Sequence, residues 1–190
     1  FWMQINDISD LSWVHILSLT NPNSCNNISK FDNTCKQFPG FWLSPNLNRI
    51  TITLDTQGNT RELLTVENIK LKQWMNITCS INNYSVNIYI NGKLYTNYVL
   101  EYRPLLLGDT GNIYINQNEK LLEKNNLNLA YLRTYSVPLN PGKVNDLYEE
   151  FLTKIVNYNT SRINNLKLKE IQPFIDNSDN TSGDMIYSEE

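Results

Sequence analysis

At 190 residues with 41% hydrophobic side chains, the chain is long enough to bury a full core and short enough to be one domain, or one domain with an appendage. A formal net charge of −3 with no basic cluster argues against nucleic acid as a partner, and the absence of any run of 18 apolar residues argues against a membrane-spanning helix. The opening residues carry no signal-peptide pattern, and because Phe1 falls inside a strand pattern the expectation is a fragment, a processed product or the visible part of something longer.

In chain order, residues 1–6 alternate apolar and polar, a turn follows at 7–12, and 13–19 is a second β-prone run that holds the lone histidine, His15. No Ser or Cys motif accompanies His15, so it reads as a strand or core histidine and not as a catalytic base. Residues 20–39 form a long polar excursion, expected to lie outside the core. Strands are predicted at 40–44 and 48–56, the longer with Ile50, Ile52 and Leu54 pointing inward, then a turn at Gln57-Gly58-Asn59 and a further strand at 61–66.

The densest signal comes next. Met75, Ile77, Cys79 and Ile81 alternate with Asn76, Thr78 and Ser80, then Val86, Ile88 and Ile90 alternate with Ser85, Asn87 and Tyr89, until Asn91-Gly92 interrupts and 93–99 resumes with β-formers. Asn-Gly between two β-rich runs predicts a type I′ hairpin turn, which needs positive φ at both central positions. With one face apolar and the other Asn, Ser and Thr, this three-stranded unit is expected to be covered on one side only. A connecting loop at 101–111 leads to a short strand at 112–116 and a last one at 128–136.

From Val144 the period changes: Val144, Leu147, Tyr148, Phe151, Leu152 and Ile155 make the stripe of an amphipathic helix at 141–156, with Asn140 as N-cap and Pro141 at the first helical position. About nine or ten short strands, the turn signals between them and one late helix predict an all-β protein, a two-sheet antiparallel jelly-roll sandwich with one C-terminal α-helix and an extended acidic tail. The expected division is a sandwich over 1–139, the helix over 140–157 and an Asn-rich arm over 158–190. Residues 1–169 carry a net +3 and residues 170–190 a net −6. The arm is poor in apolar residues, so an ordered arm is expected to be held by a neighbouring chain, with Phe174, Ile175, Met185, Ile186 and Tyr187 as candidate anchors, the alternative being an arm that lies on its own sandwich.

Three cysteines, Cys25, Cys35 and Cys79, are too few for a disulfide scaffold and lack metal-ligand spacing. Cys79 reads as a small buried hydrophobe; Cys25 and Cys35 bracket the polar excursion, and a bridge between them or two free thiols both stay open. Thirty asparagines make five Asn-x-Ser/Thr sites, at Asn27, Asn76, Asn83, Asn159 and Asn180, close to the roughly four expected by chance, so they carry no weight.

Several stretches have a familiar ring. FWMQINDISD with the following ILSL, the LSP and ITITLDT strand, ENIKLKQWMNITCSI, VNIYINGKL and LAYLRTYSVPLNPGKVNDLY resemble, in that order, concanavalin A-like lectin/glucanase jelly rolls of the laminin-G and pentraxin type, over residues 1–148. Trp74, Asn91, Gly92 and Lys93 are shared across that superfamily. Pro45 and the lead at 67–71 resemble the jelly-roll proteins of large nucleocytoplasmic DNA viruses, and the receptor-binding half of clostridial neurotoxins is similar in the same places. The resemblance implies one more strand before Phe1.

A retaining glucanase of this superfamily carries a Glu-x-Asp-x-Glu strand, since it needs two carboxyl groups about 5 Å apart. No such strand exists here, so the resemblance implies no enzyme. Asp109 and Asn112 share a loop of the kind that binds calcium in the superfamily, yet in a chain this rich in Asn they read as a turn, and no metal or cofactor is expected. Tyr84, Tyr95 and Tyr98 are the candidate aromatic platform for a sugar. The resemblance implies a structural docking protein, a minor capsid or other virion component whose arm and helix engage other virion or capsid proteins, located in the virion. The alternative is a glycan-binding lectin or receptor-attachment module, secreted or extracellular.

Overall fold

The computed structural model describes residues 1–7, 12–21, 28, 30–32, 34–105, 111–115 and 127–162, the side chains of 155–162 excepted. Ten strands and one helix follow one another as β1 (Trp2–Ile5), β2 (Val14–Thr20), β3 (Gln37–Leu43), β4 (Arg49–Asp55), β5 (Arg61–Glu67), β6 (Trp74–Asn82), β7 (Ser85–Ile90), β8 (Lys93–Val99), β9 (Asn112–Ile115), β10 (Leu127–Ala130) and α1 (Pro141–Arg162). The strands form two five-stranded sheets, ordered β10-β1-β6-β7-β8 and β5-β4-β3-β2-β9, with every pairing antiparallel. The all-β sandwich with one late helix is therefore the architecture of the chain.

The core lies where the alternation puts it. Met3, Ile5, Ile77, Val86 and Ile88 of the first sheet meet Ile16, Phe41, Ile50, Ile52 and Leu54 of the second, all buried. The β7–β8 turn has φ of 50° at Asn91 and 77° at Gly92, the positive pair that a type I′ turn requires. Asn91 also accepts the Asn76 backbone N–H through its side chain at 2.8 Å, so the turn is tied to β6.

The outer faces depart from expectation, because each is covered over part of its width while β8 stays exposed. On the first sheet, α1 packs through Val144 and Phe151, with Phe151 4.3 Å and Tyr148 5.5 Å from the Trp2 ring, and Leu139 exchanges backbone hydrogen bonds with the Ser80 hydroxyl, both 2.9 Å. That is why the polar-face residues Asn76 and Ser80 and the ring of Tyr89 are buried. On the second sheet, the excursion read as too polar for the core supplies Ile28 and Cys35, which close with Trp42 into a second small core flanked by Trp13 and Phe31. A few apolar residues spaced among polar ones suffice, because Arg61 fixes the backbone for them: it donates to the carbonyls of Asp32 and Cys35 while paired with buried Asp55 at 2.8 Å. Strand β3 accordingly begins at Gln37 and not at 40, its first residue held by an N–H to Asp55 Oδ2 bond of 2.6 Å.

Two boundaries also shift. The last strand ends at Ala130 and not at 136: Ala130 pairs with Trp2 at the start of β1, and beyond it the chain leaves the sheet at Tyr131, whose φ is 49°. The helix runs to Arg162, past the expected 156, and begins as predicted, with Asn140 Oδ1 accepting the Lys143 N–H at 2.8 Å. Among the described residues no helix is long and apolar enough to cross a membrane.

Candidate functional site

Three connections converge at one tip of the sandwich. The β4–β5 turn at 56–60 is closed by a Thr56 N–H to Thr60 carbonyl bond of 2.9 Å and a 2.8 Å contact between the two hydroxyls, with Asn59 in the left-handed region that Asn tolerates. The β6–β7 turn places Asn83 at φ 53° and Tyr84 beside it, the Tyr84 carbonyl accepting from Leu100 N–H at 2.7 Å. The run that leaves β8 is stitched to the first turn by Gln57 N–H to Arg103 carbonyl at 2.7 Å, by Leu105 N–H to Asp55 carbonyl at 2.9 Å and by a bridge between Thr56 and Pro104. Backbone bonds thus fix the tip before any ligand arrives.

Its side chains are aromatic, amide and cationic. Tyr84 is 41% exposed and Tyr102 42% exposed, and the Arg103 guanidinium lies 5.6 Å from the Tyr84 ring centroid, a cation–π distance. Tyr102 lies against Gly58, where a Cβ would come within 2.6 Å of its ring, so glycine is needed for the close approach. A hydrogen bond to Glu101 raises the Tyr102 phenol above its ordinary value. Gln57, Asn59 and Asn83 are exposed around these rings. Two tyrosine surfaces, one guanidinium and three amides can stack on a sugar ring and bond its hydroxyls or an acidic substituent, with nothing in the set arranged to break a bond.

Of the three tyrosines predicted as a platform, only Tyr84 is at the tip. Tyr98 and Tyr95 lie on β8 and reach across to the edge strand β5, where Tyr98 Oη contacts Thr65 N at 3.4 Å and Thr65 O at 3.2 Å, and Tyr95 Oη accepts from Glu67 N at 3.2 Å. Their hydroxyls are spent on the backbone of an edge strand. Tyr102, Arg103 and Gln57 were not singled out from the sequence; an exposed Tyr-Arg pair next to Pro104 was the available signal.

Next to the tip a cleft of about 420 Å³ opens between β6 and the run 131–139, over Leu17, Phe38 and Phe41 of the facing sheet, with Gln57, Asn83 and Arg103 at its rim. Cys79 lies in its wall as a free cysteine, its thiol pushed up to about 12 by burial. The other chemically suggestive pair is sealed. His15 Nε2 lies 3.0 Å from Ser18 Oγ, a base-to-nucleophile distance, but both residues are 0% exposed and the His15 ring packs on Trp42 at 4.7 Å. Burial lowers the His15 pKa to about 4, so the ring is neutral at pH 7.

Among the described residues no group of three or more His, Cys, Asp or Glu could hold a metal ion; Asn112 opens β9 and Asp109 lies outside the described residues. Cys35 is disulfide-bonded, whereas Cys25, its partner in the reading left open above, falls outside the described residues. The anchors Phe174, Ile175, Met185, Ile186 and Tyr187 also fall outside them.

Residues 2–145 match the laminin-G type family described as the concanavalin A-like lectin/glucanases superfamily, and the chain belongs to it. No curated protein matches the chain in sequence. Among solved structures, the botulinum neurotoxin serotype D ligand binding domain in complex with N-acetylneuraminic acid aligns with a TM-score of 0.53 at 16% identity, over 78% of this chain and 35% of its own. The receptor binding domain of the mosaic serotype C/D toxin gives 0.54 at 17% identity, over 79% and 35%. That of botulinum neurotoxin D gives 0.51 at 14%, over 80% and 36%. At such identities the likeness is one of fold, and the chain spans about a third of the length of these domains.

Proposed function

We propose that this chain is a non-catalytic recognition module that attaches to a glycan-bearing receptor through the tip of its sandwich. The observation that carries the reading is the preformed cluster of Tyr84, Tyr102 and Arg103 with Gln57, Asn59 and Asn83 on three tied turns. A guanidinium stacked on an aromatic ring suits an acidic sugar, and a fold neighbour is described in complex with N-acetylneuraminic acid. The disulfide at Cys35 fits an oxidising, extracellular setting.

A second reading keeps the sandwich as a docking module, a minor component of a virus particle held by its C-terminal arm. The charge division supports it: residues 170–190 carry −6 against +3 for residues 1–169, and an acidic segment poor in apolar residues favours partner-bound order. Screening the chain on a glycan array and titrating the hits separates the two. The first reading expects sialylated or other acidic glycans at micromolar affinity, weakened about 30-fold by Tyr84→Ala with Arg103→Ala, the effect of losing about 2 kcal/mol. No glycan bound, with particle incorporation lost on deleting residues 171–190, would replace it with the second.

A further inference from the structure

The charges around the tip are distributed unevenly. Arg103 lies over the Tyr84 ring, whereas the other cations at this end already face carboxylates: Arg61 and Lys36 face Asp55 at 2.8 and 3.8 Å, and Lys30 lies near Asp32. Among the described residues Arg103 is therefore the cation that the tip offers a ligand. Two carboxylates flank it. Glu62 stands on β5 just past the 56–60 turn, and its Oε1 accepts the Glu101 N–H at 2.9 Å. The Tyr102 phenol donates to the Glu101 carboxylate, and the Tyr102 ring lies against Gly58. That bond holds the exposed Glu101 side chain at the tip. Glu101 and Arg103 are two residues apart, so their Cα atoms are separated by no more than about 7 Å. This is inside the screening length of about 8 Å at physiological ionic strength, and the charge of Glu101 reaches the place where Arg103 holds an anion. One guanidinium takes one carboxylate through two parallel N–H bonds. A second anionic group on the same ligand would meet Glu101 or Glu62 with no cation to receive it.

From this arrangement we propose that Glu101, with Glu62 behind it, limits the tip to glycans that present a single carboxylate and turns away polysulfated and other polyanionic chains. The assignment rests on the glycan reading above and deepens it, by dividing acidic glycans according to their charge density. Arg103 attracts every anion, so by itself it cannot tell a lone sialic acid from a sulfated uronic acid chain. Discrimination needs an element that is unfavourable to the wrong ligand, and like charges set side by side supply it. Glu101 is thus a specificity-determining residue. It acts on the choice among ligands, while Tyr84 and Arg103 supply the stacking and the ion pair that hold the chosen one.

The test titrates the full chain by calorimetry with sialyllactose, which carries one carboxylate, and with a heparin tetrasaccharide, which is polysulfated, each up to about 1 mM, the weak end of specific affinities. Wild type, Glu101→Gln and Glu101→Asp are compared at about 50 mM and about 500 mM salt, which takes the screening length from above the Glu101–Arg103 separation to below it. The expected result is that wild type prefers sialyllactose at least about tenfold at low salt and that Glu101→Gln narrows the ratio of the two affinities about tenfold. Glu101→Asp keeps the wild-type ratio, and high salt abolishes the effect of Glu101→Gln. The Asp rescue and the salt dependence separate the action of a charge from a change of shape. An unchanged ratio in Glu101→Gln, the same change in Glu101→Asp, or heparin tetrasaccharide bound by wild type as tightly as sialyllactose would overturn the proposal and leave the glycan reading standing. Binding of neutral glycans alone would do the same. No glycan bound at either salt would remove the glycan reading, and this proposal with it.

Discussion

His15 shows how one buried side chain sets a pH response. Its folded pKa of about 4 lies below the unfolded 6.5, so as pH falls through 6.5 the unfolded chain takes up a proton that the folded chain refuses. Stability from this group is therefore intact above pH 6.5 and lost progressively down to pH 4, by about 3 kcal/mol in all. Glu150 acts lower: the Arg133 and Lys154 hydrogen bonds hold it at about 2, so its contribution is present above pH 4.5 and is lost as pH falls toward 2. Urea titrations of His15→Gln across pH 8 to 3 should flatten the stability curve between 6.5 and 4 alone; an unchanged slope there would contradict the assignment.

Arg61 carries a larger load. It pairs with Asp55 while both side chains are below a tenth exposed, and it holds the carbonyls of Asp32 and Cys35, so it joins β5, β4 and the covering loop. Arg61→Met leaves the Asp55 carboxylate buried without its main cation, and should cost about 3–5 kcal/mol in denaturant unfolding. Replacing Asp55 by Asn in the same chain should restore part of that loss, which a purely steric role for Arg61 would not predict.

At the scale of elements, edges and caps decide what stays soluble and folded. Strand β5 is the edge of its sheet, and Tyr95 and Tyr98 reach its backbone from β8, which blunts a template for intermolecular pairing. The double change Tyr95→Phe with Tyr98→Phe should lower stability by only about 1 kcal/mol per lost bond yet raise light scattering on mild heating. Asn140→Ala should cost about 1 kcal/mol through the lost N-cap. These elements were legible to different degrees. The run from Trp74 to Val99 could be read because alternation and Asn-Gly are local signals. The partial covering of the two outer faces could not, since Asn76, Ser80, Thr53 and Asp55 are buried by segments distant in the chain, and nothing in a strand's own pattern records what lies over it.

For the whole molecule, the sandwich brings three turns together at one end, with Gln57, Tyr84 and Arg103 separated by 27 and 19 positions in the chain. Tyr84 was legible only as one of three candidate platform tyrosines, with Tyr95 and Tyr98; Tyr102 and Arg103 were not, because their value lies in whom they meet. That tip is the proposed binding surface, and the sandwich core and the sealed His15–Ser18 pair hold the fold together. Its most direct test is a nitrogen-15 chemical-shift titration of the chain with a glycan drawn from the array hits. The account predicts shifts concentrated at 57–60, 82–84 and 101–104; shifts confined to other faces, or none at saturating glycan, would contradict it.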